Sequence, residues 1–194
     1  MVLAATFVIT LTGLTAGALP GPTAGTMAES GPAPTVSVRE ERGVYSVSAR
    51  FHVPEPPAAV LAVLTDYENI PRILPDVTSS IVRERSAGRA VVEQVAVSRM
   101  MMFSKKVHLV LEITEAPDAI RFVDRCGRSF EKYEGIWRVT ARGGGSDVVY
   151  ELTAKPSFDV PEFLLKRLLK RDATRTIERL TAAITERGGT LTDR

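Results

Sequence analysis

The stretch Pro161 to Arg187, PEFLLKRLLKRDATRTIERLTAAITER, decides the fold. Leu165, Leu168, Leu169, Ala173, Ile177, Leu180 and Ile184 recur at three- and four-residue steps, while Lys166, Arg167, Lys170, Arg171, Arg175 and Arg179 fall largely on the other side. The spacing predicts one amphipathic helix of about 27 residues, about 40 Å long at 1.5 Å per residue. Asp159 is the candidate cap, Pro161 opens the first turn, and Glu162 faces the positive end of the helix dipole. Gly188 and Gly189 are the expected stop, leaving 188–194 as a disordered tail. A helix of that length exceeds what packing on a small sheet requires, so its apolar face is expected to cover something more.

The residues before it read as sheet. Val44 to Val53 alternates, with Tyr45, Val47, Ala49, Phe51 and Val53 on one face and Ser46, Ser48, Arg50 and His52 on the other. Pro54, Pro56 and Pro57 end that strand, and Pro57 opens a short helix to about Asp66. Ile70-Pro71-Arg72-Ile73-Leu74-Pro75 forms a second turn or short helix. Strands are then predicted at Val77 to Arg85, Arg89 to Val97, Lys105 to Glu115, Ala119 to Arg125, Tyr133 to Thr140 and Asp147 to Lys155, joined by turns such as Ser86-Ala87-Gly88 and Arg142-Gly143-Gly144-Gly145-Ser146. One sheet with one apolar face and one long helix to cover it makes a two-layer α+β domain, with a cleft wherever the twisted sheet curls away from the helix.

The other end of the chain differs. Met1 to Ala28 contains no Asp, Glu, Lys or Arg, and small residues close the apolar run at Ala16-Gly17-Ala18 and Thr26-Met27-Ala28. Residues 1–28 are read as an export signal cleaved near Ala28, or as an uncleaved N-terminal anchor. The expected location is therefore secreted, periplasmic or at the outer face of a membrane. Residues 29–41 are read as a disordered linker, on the strength of the Gly, Pro, Ser, Thr and Ala that fill 21–34, and 42–187 as the folded domain. That domain is long enough to bury about 70% of its unfolded surface. A formal charge of +2 over 194 residues excludes a dedicated nucleic-acid binder. Cys126 is the only cysteine, which rules out an internal disulfide.

The catalytic inventory is sparse. His52 and His108 lie in separate strands on polar faces, with no ligand-like spacing to an acid, and are read as solvated; no metal site or cofactor motif is expected. Gly143, Gly144 and Gly145 precede a strand, not a helix, and read as a plain turn. Glu93, Asp124, Glu131 and Glu134 are isolated carboxylates of the kind that sits on a surface. The residues expected to face a ligand are apolar and aromatic: Leu109, Phe122, Tyr133, Trp137 and Tyr150 from the strands, Met101 and Phe103 from the Met100-Met101-Met102-Phe103 run, and Phe158, Phe163, Leu164 and Leu168 where the chain enters the helix. Tyr133 and Tyr150, if buried, each need a polar partner. The basic stripe is interleaved with Glu162, Asp172, Glu178 and Glu186, which favours a solvated face; contact with an anionic membrane surface is the sharper reading.

Val53-Pro54-Glu55-Pro56-Pro57, Asp66-Tyr67-Glu68 with Ile70-Pro71 and Leu74-Pro75, Glu134-Gly135-Ile136-Trp137, and Pro156 to Pro161 ahead of the basic helix resemble the START-like (SRPBCC) superfamily. Within it, the chain is most similar to the polyketide cyclase/dehydrase and coenzyme Q-binding START-domain family, over about residues 42 to 187. The resemblance implies a helix-grip fold, a curved antiparallel sheet wrapped on the C-terminal helix around a hydrophobic tunnel. It also implies a hydrophobic ligand, a lipid, an isoprenoid quinone or a polyketide-like molecule. No catalytic role transfers with the Asp66-Tyr67 segment, whose expected job is to fix the short helices against the sheet. Binding or transport without catalysis is the first expectation. An aromatase/cyclase acting through Glu93, Tyr133 and Tyr150 is the alternative, and a domain that modulates a partner protein through the helix entry the third.

Overall fold

The computed structural model describes residues 33–100, 103–159 and 161–192, with only the backbone described at 98–100, 103, 104 and 189–192. The leader 1–28, the first part of the expected linker and Met101 lie outside the described residues, and so does the side chain of Phe103.

Eight strands form one antiparallel sheet: β1 (Thr35–Glu41), β2 (Val44–Val53), β3 (Val77–Ser86), β4 (Arg89–Met100), β5 (Phe103–Ala116), β6 (Ala119–Asp124), β7 (Phe130–Arg142) and β8 (Gly145–Pro156). Their order across the sheet is β1-β2-β8-β7-β6-β5-β4-β3. Helix α1 (Pro57–Leu64), a 3-10 turn (Tyr67–Asn69) and α2 (Ile70–Ile73) carry the chain from β2, near one edge, to β3 at the other. Helix α3 (Glu162–Thr192) closes the concave face. This is the helix-grip α+β architecture.

Two boundaries differ from the sequence reading. The expected linker 29–41 gives way at Thr35 to strand β1, paired with β2 from Thr35↔Arg50 to Glu41↔Val44. Arg42 and Gly43 turn the corner with φ of 53° and 78°, the positive pair that a tight two-residue hairpin loop demands. Val36 and Val38 alternate with exposed Thr35, Ser37 and Arg39, a pattern too short and too polar to stand out beside the Pro-rich segment before it. The expected tail 188–194 is likewise corrected, because α3 runs through Gly188 and Gly189 to Thr192. A Cβ at Gly188 would sit 2.5 Å from Glu55 Cγ, so here glycine admits a neighbour's side chain and does not end the helix.

The stripe of α3 formed by Leu165, Ala173, Ile177, Leu180 and Ile184 is buried against β1, β2 and α1. Ile177, Leu180 and Ile184 are sealed together with Val53, Val60 and Val63; each such side chain contributes about 1.5–3 kcal/mol of transfer free energy. The far end of α3 is tied down by Arg187, whose guanidinium donates to Asp66 Oδ2 at 2.5 Å. Tyr67 then pins the same corner to the sheet: its hydroxyl donates to Glu115 Oε1 at 2.8 Å while the Arg85 guanidinium lies 5.4 Å above its ring. The Asp66-Tyr67 segment thus joins the short helices to both the sheet and the helix.

Curvature comes from breaks in register between Val77 and Ser79 and between Val82 and Glu84 on β3, and between Phe130 and Lys132 on β7. The concave face consequently stands away from α3 over β4 to β8, while the helix rests on β1 and β2.

Candidate functional site: a hydrophobic cavity under the long helix

The space left between the curved sheet and α3 is a cavity of about 870 Å³. Inward-facing positions of successive strands supply its wall: Val107, Leu109, Leu111 and Ile113 from β5, Ile120 and Phe122 from β6, Tyr133 and Trp137 from β7, Tyr150, Leu152 and Ala154 from β8. The period-two alternation of each strand places these side chains on one face. Leu164, Leu165, Leu168 and Leu169 of α3 form the roof.

One side of the wall is aromatic. Trp137 stacks on Tyr150 with ring centroids 4.2 Å apart, Phe130 packs on Tyr133 at 4.9 Å, and Phe122 lies between the two tyrosines at 5.9 and 6.5 Å. Phe158 extends the row, 6.4 Å from Phe130. Glycine at 135 makes this possible. A Cβ there would collide with the Phe122 ring and stand 2.5 Å from the Glu151 carbonyl oxygen.

The phenols of Tyr133 and Tyr150 are neighbours, and each bears on the other's ionisation. Both are remote from outside solvent; the surface they retain faces the cavity. Burial pushes the Tyr133 hydroxyl up to about 12 and drives Tyr150 well above the ordinary phenol value. They are therefore neutral hydrogen-bond donors at any physiological pH, ill suited to removing a proton from a substrate.

Charge is confined to the mouth and the helix entry. Arg171, Asp172, Arg175 and Arg179 of α3 face Asp76 in the Leu74–Val77 turn, and Lys105 with Asp159 lies near Phe158. Arg171 pairs with Asp172 at 2.9 Å. Burial, with Asp76 nearby, raises the Asp172 carboxyl above the usual carboxylate range despite Arg171. The single basic stripe read from the sequence is thus divided. Arg171, Arg175 and Arg179 look onto the mouth, whereas Lys166 pairs with Glu162 at 2.5 Å and Lys170 lies beside Pro34 and Val36.

Of the residues expected to meet a ligand, Leu109, Phe122, Tyr133, Trp137, Tyr150, Phe158, Leu164 and Leu168 line the cavity. Phe163 does not: it is 75% exposed, because the helical step from Leu164 turns it to the outer side of α3. Glu93 is also off the cavity. It lies on the outer face of β4, where Arg83 Nε donates to it at 2.7 Å and His108 Nε2 stands 2.7 Å away. These two hydrogen bonds hold its carboxyl below the usual range. The histidines are partnered, not merely solvated: His52 Nδ1 meets Asp147 Oδ1 at 2.9 Å, and His108 joins Glu93 to the Cys126 thiol, 3.7 Å from Nδ1. Asp124 serves the backbone, accepting from the amides of Val110, Cys126 and Gly127. Glu131 and Glu134 pair on the surface with Lys155 and Lys132. Among the described residues no group of three or more His, Cys, Asp and Glu is placed to hold a metal ion.

Sequence reasoning named Tyr67 and the basic stripe but did not place Tyr67, Gln94 or the mouth arginines at the cavity. Gln94 shares the inward face of β4 with Val92 and Ala96, so strand alternation was the available signal.

Comparison with known proteins adds to this geometry. The family model described as polyketide cyclase/dehydrase and lipid transport matches residues 45–185. None of the curated proteins matches the chain. Among solved structures, a protein of Thermus thermophilus is similar at 26% identity and TM-score 0.61, covering 73% of this chain and 97% of that one. A STAR-related lipid transfer protein fragment from Xanthomonas axonopodis superposes at TM-score 0.61 with 17% identity, over 77% and 98% of the two chains. The Zhui aromatase/cyclase from Streptomyces sp. R1128 superposes at 0.65 with 14% identity, over 74% and 95%. The last two are similar in fold.

Proposed function

The chain belongs to the polyketide cyclase/dehydrase and lipid transport family, and from that premise we propose that it binds a hydrophobic small molecule in the cavity and carries it unchanged. The observation behind this reading is the wall: about 870 Å³ lined by aliphatic and aromatic side chains, with charge held at its openings and only a neutral phenol pair within the aromatic side. The volume falls inside the range of about 300–1,000 Å³ common to ligand pockets. Apolar contact at about 25 cal/mol per Å² is sufficient chemistry for retention. A lipid, an isoprenoid quinone or a polyketide-like molecule fits such a wall. The charge-free leader supports an exported carrier, working outside the cytoplasm or at the outer face of a membrane.

Ring-forming chemistry on a polyketide-like substrate is the second reading, and the neutral phenols of Tyr133 and Tyr150 on the cavity wall favour it as donors to substrate carbonyls. The withdrawal of Glu93 to the outer face removes the carboxylate that this reading called upon. Native mass spectrometry with organic extraction, on full-length chain from a host whose membranes contain isoprenoid quinones, tests the carrier. The expected result is a stoichiometric lipid or quinone recovered unchanged. An empty protein that also rejects a panel of such molecules overturns the reading.

A further inference from the structure

We propose that the cavity mouth is an anion-selective rim, so that the molecule carried is an amphiphile whose carboxylate or phosphate head is held at Arg175 and Arg179 while its apolar part lies inside. The inference rests on the carrier reading above and adds the charge and orientation of the cargo.

The arginines 171, 175 and 179 follow one another at four-residue steps, about 6 Å apart along the axis, on the edge of α3 that overlooks the opening. Their surroundings differ. Arg171 is engaged by Asp172 at 2.9 Å. Lys105, at the helix entry, stands 4.5 Å over the Phe158 ring. Arg175 feels the Asp172 charge without closing an ion pair with it, and neither Arg175 nor Arg179 makes an ion pair among the described residues. Glu178, next in sequence to Arg179, turns the other way and lines a groove with Pro34 and Val36. Two guanidinium groups therefore stand at the rim with their donor forks open to a ligand.

A guanidinium is charged at every relevant pH and matches the two oxygens of a carboxylate or phosphate. A neutral head, an alcohol or an ester, gains little from it. The inner wall offers the reverse: neutral phenols and stacked rings, where a buried anion would meet a desolvation cost that nothing charged offsets. Charge at the rim and neutrality within orient an anionic amphiphile head outward. The acids facing these arginines do not cancel this preference, because Asp172 is already paired with Arg171 at 2.9 Å and, among the described residues, neither it nor Asp76 closes an ion pair with Arg175 or Arg179.

Trp137, the only tryptophan, is stacked in the wall and supplies the readout. Full-length protein freed of lipid is titrated at neutral pH with hexadecanoate, hexadecyl phosphate and hexadecanol, following Trp137 fluorescence. The expected result is that at least one anionic ligand binds about tenfold or more tightly than the alcohol, the factor that one charge-assisted hydrogen bond supplies. The Arg175→Glu/Arg179→Glu double variant, altered only at exposed helix positions, is expected to lose that preference while keeping its affinity for hexadecanol. Arg167→Glu/Lys170→Glu on the outer side keeps it. Preference for one anion over the other identifies the head as carboxylate or phosphate. Equal affinity for all three ligands, or a preference that survives charge reversal at the rim, overturns the inference and leaves the carrier reading standing. Failure of every ligand to bind overturns both.

Discussion

The ring of Phe122 occupies the space that a side chain on its cross-strand partner Gly135 would need. The aromatic wall depends on that absence, since Phe122 in turn contacts Tyr133 and Tyr150. Gly135→Ala is expected to destabilise the fold by about 1–3 kcal/mol, as overpacking of a close-packed interior does. Because the Glu151 carbonyl oxygen also lies 2.5 Å from the new methyl position, shrinking the ring in a Phe122→Leu/Gly135→Ala double variant restores only part of the loss. Denaturant unfolding of the three variants checks this; full recovery in the double variant would show that the backbone contact is immaterial.

Tyr133→Phe and Tyr150→Phe each take away the neighbouring hydroxyl of a buried phenol, at an expected cost of about 1 kcal/mol. The double Phe variant is expected to cost less than the sum. The same pair sets an alkaline limit. Its folded-state pKa values lie above the unfolded value near 10, so the stability it contributes is complete below about pH 10 and falls as pH rises through about 12. All four tyrosines, Tyr45, Tyr67, Tyr133 and Tyr150, are held above the ordinary phenol value, so ultraviolet titration should find native protein ionising at higher pH than the unfolded chain.

Asp66 and Arg187 close the corner between the first short helix and the end of α3. Burial opposes ionisation of Asp66, but hydrogen bonds from Asn69 and Arg187 win and hold its carboxyl below the usual range. Its contribution is therefore present above the unfolded carboxyl pKa near 4 and disappears as pH falls through the lower folded value. Both groups are partly solvated, so Asp66→Asn should cost about 0.5–1 kcal/mol at neutral pH and nothing at strongly acidic pH. Parallel thermal melts at the two pH values measure the difference.

Phe163 and Ile177 lie on the same helix and differ in what surrounds them. Phe163→Ala should change stability by less than about 0.5 kcal/mol, since the ring is 75% exposed. Ile177→Ala, at 1% exposure, should cost about 2–5 kcal/mol. Comparable losses in urea denaturation would contradict the face assigned to Phe163.

Local pattern was enough for much of the molecule. Strand alternation and the three- and four-residue spacing of leucines in Pro161 to Arg187 determined one sheet, one long helix and the inward set Leu109, Phe122, Tyr133, Trp137 and Tyr150, because side-chain direction follows from backbone periodicity alone. The ends of elements were decided elsewhere. The helix passes through Gly188, where Glu55, far away in the chain, packs in the space a side chain would need, and β1 exists because β2 offers it a free edge. The sequence also determined that the last helix has a basic side, but only tertiary structure decided that Arg171, Arg175 and Arg179 overlook a cavity while Phe163 faces solvent. A helix can be turned on its axis with no change in its own hydrogen bonds; which face meets the sheet is settled by the sheet's curvature and by ties such as Arg187 to Asp66 and Tyr67 to Glu115. Those contacts join residues distant in sequence, and no local pattern encodes them.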